Sequence, residues 1–431
     1  MTAGPPPAGG RPARAVPADG PGAPLVLGLL LRWARTPVLV RVLLVYAAAR
    51  LVSAAVLAAV ARFQEPSDWT PEGAGYRDML GLWDATWYRR IAEDGYPGAV
   101  PRDGAGAAQQ SELAFYPVLP LLVRALGAAG VPFETAGAAV ALLAGAAAAV
   151  GAHLVLERAA RAAGAGAAVA RRAARSGAVL LCVSPPSLVY QVPYTEGLAL
   201  ALLTGFLLAL LDGRWLTASA LALLLGLTRP VAVPLSAVVV VHLLVRVRAA
   251  RRAAPGGGPA RPAGRDLLRA GVLLTSSAAA AGLWPLTAWW LTGERDAYTA
   301  TMGAWRADGR VEWLRPWWDV SQYLLGDVAG PLVLVALVAG YAALLLSRRA
   351  AVLGPELRTW CLAYPGYLLL VLDPFTSLFR YLVLLFPLGG LVALRPGRRG
   401  TLWALVAASL ALHVVWVAWL WRFSPPADWP P

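Results

Sequence analysis

The chain has no lysine: all 38 of its basic Lys/Arg positions are arginine. Together with an excess of Ala, Gly and Pro, this reflects GC-rich coding and carries no mechanistic information. Charge of either sign is scarce, 14% of 431 residues, where a soluble chain carries about a quarter. There are two cysteines, Cys182 and Cys361, both inside apolar runs; a disulfide framework and a Cys-based metal site are excluded. His153, His242 and His413 stand singly in apolar segments and read as packed helix residues rather than metal ligands. No stretch alternates apolar and polar residues in segments of about ten, so a transmembrane β-barrel is excluded. Residues 1–36 lack the compact apolar region and cleavage site of a signal peptide.

What the chain does have is apolar length. It is 58% hydrophobic, in repeated runs of about 17–25 residues that match the hydrocarbon thickness of a bilayer. The fold class is therefore an all-α polytopic membrane protein. The net charge of +14 does not point to nucleic acid, because the Arg residues concentrate in short loops between apolar runs, as the positive-inside rule requires. No nucleic-acid partner is expected.

Residues 1–36, rich in Pro, Gly and Ala with four Arg, are expected to be a disordered cytoplasmic amino terminus. The transmembrane domain follows over 37–422. Its first span, 37–62, holds Arg50 deep within it, where a charge costs about 2.5–3.5 kcal/mol on insertion scales. Snorkelling and a role inside the bundle are both open readings. Residues 63–112 carry nine Asp or Glu against four Arg and read as a long first extracytoplasmic loop. The 157–175 loop, with five Arg and one Glu, reads as cytoplasmic. An odd number of crossings must separate the two, so 133–156 is read as the span, and 113–129, interrupted by Pro117 and Pro120, as a re-entrant or interfacial segment.

Further spans are expected at 177–193, 194–211, 215–228, 230–247, 269–292, 331–346, 357–373, 379–395 and 401–422. That gives about eleven, with the amino terminus inside and an extracytoplasmic tail at 423–431. Residues 246–268 read as a flexible cytoplasmic loop. Residues 293–330, flanked by Trp from Trp289 to Trp318, read as an extracytoplasmic one.

The densest chemistry is Trp83-Asp84-Ala85-Thr86-Trp87-Tyr88-Arg89-Arg90-Ile91-Ala92-Glu93-Asp94-Gly95-Tyr96 in the first outer loop. On a helix, Asp84 and Tyr88 share a face, as do Trp83 and Trp87, and Gly95-Tyr96-Pro97 ends it. An amphipathic interfacial helix anchored by aromatics explains this pattern. So does a carboxylate placed to activate a hydroxyl beside a lipid-borne substrate.

The string resembles the first outer loop of the PIG-V-like mannosyltransferases, members of the GT-C glycosyltransferases. Ala114-Phe115-Tyr116-Pro117-Val118-Leu119-Pro120-Leu121-Leu122-Val123-Arg124, Pro193-Tyr194-Thr195-Glu196 and Ser377-Leu378-Phe379-Arg380-Tyr381 resemble that family's later stretches, in order. The resemblance covers about residues 40–395. It implies a GT-C-type bundle and a polyprenyl-phosphate sugar donor, usually mannose. It also implies inverting transfer at the extracytoplasmic face of the cell membrane, among membrane lipids; the expected acceptor is a lipid, glycan or protein.

Under that resemblance Asp84 matches the family's acidic catalytic position. Arg380 and Arg229 are candidates for the donor phosphate, since guanidinium binds phosphate oxygens bidentately. Trp87, Tyr88, Arg89, Arg90, Glu93, Tyr194, Glu196 and Tyr381 are substrate-site candidates. Glu196 also reads as a helix-start residue favoured by the macrodipole, and Asp373 as a partner for Arg380. No cofactor and no metal are expected. A GT-C enzyme using another sugar such as arabinose is the nearest alternative. A transporter or flippase is the non-enzymatic one, against which the lack of a half-to-half repeat counts.

Overall fold

A computed structural model describes residues 35–253, 264–306, 309, 311–394, 399–423 and 430–431. The chain divides into Met1–Arg41 and Val42–Pro431; the described part of the first unit carries only the opening of the first helix. Among the described residues the structure is helical, apart from two isolated β-bridges in loops.

Among the described residues, six helices are long and apolar enough to cross a membrane. They are α1 (Val38–Ala61), α4 (Phe133–Ala162), α8 (Ala232–Ala253), α9 (Gly264–Thr292), α12 (Ala329–Leu346) and α15 (Arg399–Leu420). Shorter apolar helices lie between them: α3 (Val118–Gly127), α6 (Glu196–Leu211) and α7 (Trp215–Gly226). At 1.5 Å per residue, the ten residues of α3 rise only about half of the bilayer core. The remaining helices are α2 (Asp84–Glu93), α5 (Ala167–Cys182), α10 (Ala297–Gly303), α11 (Arg315–Leu325), α13 (Gly354–Val371) and the single turn α14 (Leu378–Tyr381).

Several expected spans are built otherwise. The 177–193 segment is the end of α5 followed by a tight turn at Ser187–Tyr190. Pro185 and Pro186 cannot supply the N–H groups that would continue the helix. The 379–395 segment is α14 followed by 3-10 backbone over Leu382–Leu394, broken at Leu385 just before Pro387. Residues 293–330 hold α10 and α11 rather than plain loop. Helix α8 runs through Arg246, Arg248, Arg251 and Arg252, and α9 resumes at Gly264. The flexible loop expected over 246–268 is thus helix at both ends, and residues 254–263 lie outside the described residues, as do residues 1–34 and 424–429.

The centre of the fold is α4, with α6 and α5 packed along it. Small residues permit the approach, as at helix contacts in membranes. A Cβ on Gly197 would sit 3.0 Å from the Ala141 carbonyl oxygen, and one on Gly137 2.5 Å from Pro193 Cβ. Arg50 of α1 reaches inward, not to a headgroup. It donates to the carbonyls of Cys182 (2.8 Å) and Ser187, and lies between the rings of Tyr46 and Tyr190 at 5.5 and 5.4 Å. Pro185 and Pro186 have no N–H to give the Cys182 carbonyl at the end of α5, and the buried guanidinium supplies a donor.

Candidate active site

Helix α2 begins at Asp84 because Trp83 departs from helical backbone, at φ 58° and ψ −124°. That conformation is strained for a bulky residue. The buried Trp83 ring holds it, edge-on to Trp69 (5.9 Å between centroids) and Phe423 (5.4 Å), which stack on each other at 5.0 Å. Trp83 and Trp87 consequently do not share a helix face. Trp87 packs instead on Phe115 (5.7 Å) and Trp305 (5.5 Å). Helix α2 ends at Glu93, Gly95 turns the chain at φ 92°, and Arg124 of α3 donates to the last carbonyls, Ala92 at 2.7 Å and Ile91 at 2.9 Å.

The amino end of α2 meets the start of α6 and the turn α14. Arg380 Nη1 donates to Asp84 Oδ2 and, at 3.3 Å, to Glu196 Oε1. Arg229 Nη1 lies 2.7 Å from the same Glu196 oxygen and donates to Thr195 Oγ1 at 3.0 Å. Two carboxylates and two guanidiniums thus form one neutral cluster. Glu196 is fully buried and both arginine side chains are 8% exposed, while Asp84 keeps 18%. Buried charges persist only when paired in this way.

Aromatic rings wall the cluster. Tyr381 lies under both guanidiniums, 4.8 Å from Arg229 and 5.2 Å from Arg380, and Tyr194 is 5.3 Å from Arg380. Such contacts contribute about 0.5–2 kcal/mol each. The Asp84 backbone N–H donates to Tyr194 Oη at 3.2 Å, and Tyr88 Oη lies 3.3 Å from Thr195 Oγ1. Burial, and then the nearby Asp84 charge, hold the Tyr88 phenol well above its usual range, so it stays protonated at neutral pH. Within the four-residue cluster, Glu196 Oε2 and Arg380 Nε are buried without a hydrogen-bond partner.

Of the residues singled out by sequence, Asp84, Tyr88, Tyr194, Glu196, Arg229, Arg380 and Tyr381 come together here. Trp87 stands on the outer flank of α2. Arg89 pairs with Glu134 and covers the Phe133 ring at 4.9 Å; Arg90 lies over Trp87 at 4.8 Å and 3.8 Å from Glu112. Glu93 is exposed at the far end of α2, beside a cavity of about 550 Å³ lined also by Arg124, Val131 and Phe133. Asp373 pairs with Arg306 at 2.9 Å. Thr195, which links Tyr88 to Arg229, had no distinguishing sequence signal beyond its place beside Glu196. Among the described residues no group of three or more His, Cys, Asp or Glu is placed to hold a metal ion.

No known family profile matches the chain, and no curated protein matches it. One solved structure that does is the Archaeoglobus fulgidus oligosaccharyltransferase, 15% identical, with a TM-score of 0.41 over 90% of this chain and 54% of that one. The chain therefore spans about half the length of that protein. A likeness this distant decides neither fold nor function.

Proposed function

We propose that the chain is a GT-C-type membrane glycosyltransferase. It moves mannose from a polyprenyl-phosphate-mannose donor to a lipid, glycan or protein acceptor, at the extracytoplasmic face of the cell membrane, with inversion. The observation that carries this reading is the buried cluster itself. It sets one partly exposed carboxylate, Asp84, against two arginines backed by a fully buried one, Glu196. Asp84 accepts the proton of the acceptor hydroxyl as its oxygen bonds to the sugar's anomeric carbon. The bond from that carbon to the phosphate oxygen breaks, and polyprenyl phosphate leaves with the electron pair, its growing charge met by Arg380 and Arg229.

A second feature favours a lipid donor. An apolar cavity of about 330 Å³ is lined by Leu382 and Val383, two and three residues along the chain from Arg380. It continues along Leu385, Phe386, Leu388 and Val392 against α5 and α15. A phosphate at Arg380 would have its hydrocarbon tail beside this surface.

The test is transfer of radiolabelled mannose from polyprenyl-phosphate mannose to membrane extracts by purified wild type and Asp84→Asn. Product with wild type and none with the folded variant is expected. Equal transfer by both removes Asp84 from the mechanism. No transfer by either, but transfer from a polyprenyl-phosphate arabinose donor, replaces the sugar and keeps the class.

A further inference from the structure

Resting on the reading above, we infer that Arg380 is shared between the base and the leaving group, so that it couples proton removal to phosphate departure. One nitrogen, Nη1, serves both Asp84 and Glu196, while Nε on the other edge of the same guanidinium is buried with no acceptor. A guanidinium presents donors along two edges of one plane. Here one edge is taken by carboxylates, and the other carries a buried N–H with no acceptor, which an anion entering the site would satisfy.

The charges then balance across one side chain. In the ground state Arg380 faces the Asp84 anion on Nη1 and a singly charged phosphodiester on its open edge. During transfer the acceptor's proton moves to Asp84, which becomes neutral. The sugar–oxygen bond to phosphate breaks, and the phosphate becomes a monoester with one further negative charge. Arg380 loses its pull toward the base as its pull toward the leaving group grows. Arg229 is not placed to couple the two: its Nη1 is held by Glu196 and Thr195 rather than by Asp84, so it adds positive charge for the phosphate without a link to the base.

The consequence is specific. Asp84 competes with phosphate for Arg380, so removing its charge strengthens phosphate binding while abolishing transfer. A base with no such link would leave binding unchanged, and a residue needed only for folding would weaken it.

The experiment measures binding of farnesyl phosphate to purified full-length protein in detergent. The proteins are wild type, Asp84→Asn, Arg380→Lys and the double variant. Asp84→Asn is expected to bind about tenfold more tightly than wild type, the size of an ordinary coupling between adjacent charges. In the Arg380→Lys background that gain should fall to about twofold or less, because a compact ammonium cannot serve both edges. Wild-type binding that is unchanged or weakened by Asp84→Asn overturns this inference and leaves the proposed function standing. A gain that persists undiminished in Arg380→Lys also overturns it, by showing a general field rather than a shared arginine. Absence of farnesyl phosphate binding in all four proteins overturns both the inference and the lipid-phosphate reading.

Discussion

The Glu196 carboxylate has no route to water, and this decides what a substitution there does. It is fully buried between two guanidiniums. Glu196→Ala would leave both arginines facing each other with only Asp84 to offset them. Removing one partner of a buried ionic group costs about 3–5 kcal/mol. The expected outcome is a clearly lowered midpoint of thermal unfolding in detergent, with Glu196→Gln intermediate, since it keeps the volume and the acceptor oxygen. An unchanged midpoint for Glu196→Ala would mean that water reaches the cluster. Residue identity was legible in the sequence here and partnership was not. Asp84 and Arg380 stand out because a carboxylate and an arginine flank apolar runs. Their pairing across 296 positions follows from helix packing that no local pattern encodes. Arg50 is the same lesson in reverse: its depth was evident, and its purpose depended on which carbonyls a distant proline turn leaves bare.

At the scale of the element, α2 is held at both ends by other parts of the chain. Its start depends on the Trp83 clamp and its end on Arg124, which reaches three carbonyls from Ile91 to Glu93. A ten-residue helix is marginal alone in water. Arg124→Ala should therefore fray the carboxyl end of α2, seen as faster amide exchange at Asp94 and Gly95, whose N–H groups bond to Arg90 and Ile91 carbonyls. Exchange as slow as in wild type would show that packing suffices. The sequence indicated the helix and its stop, because Gly95-Tyr96-Pro97 is a local signal. It placed the start one residue early for Trp83, since a left-handed tryptophan is stabilised only by tertiary contacts. The half-length elements at 177–193 and 379–395 were hidden for a related reason. Composition reports apolarity, while at these two places the helix stops at Pro185-Pro186 and breaks at Leu385 before Pro387.

For the whole molecule, the segment before α3 and the one after α9 are joined at the surface. Glu294 accepts from the Val100 N–H at 2.9 Å and from Arg102 Nη2 at 2.6 Å. The Val100 hydrogen bond, then that of Arg102, hold the Glu294 carboxyl below its usual value of 4.5. A depressed value means that the link is intact above about pH 4.5 and is lost as pH falls below it, when the carboxyl takes a proton. Limited proteolysis should therefore cut residues 99–108 faster at acid pH, and Glu294→Gln should show the fast rate at neutral pH as well. Equal rates across pH would show that the loops are held by other contacts. The two thiols give a complementary check. Cys182 and Cys361 are at most 1% exposed, so neither should react with a small maleimide until the protein is denatured. Prompt labelling of either in the folded protein would contradict the packing of α5 and α13. This scale was the least legible. Hydropathy and Arg placement led to an expectation of about eleven spans, whereas six helices among the described residues are long and apolar enough to cross. Which apolar runs stay short is a property of how the pieces pack.

The residues just after α15 return to the first loop. Gln64 donates to the Phe423 carbonyl at 2.7 Å and accepts from its N–H at 2.9 Å, while Trp421 donates to Met79 O at 2.9 Å. Phe423 is also one wall of the Trp83 clamp. The residue that sets the direction of Asp84 is thus completed by a stretch made more than three hundred positions later. During synthesis the carboxylate near the amino end must wait, unset, for nearly the whole chain to emerge. If the proposed function holds, a protein stopped at residue 410 is expected to transfer nothing. Supplying the missing helix as a separate polypeptide should restore the proposed transfer, making the ribosome's arrival at the far end a built-in timer on the assembly of the Asp84 site.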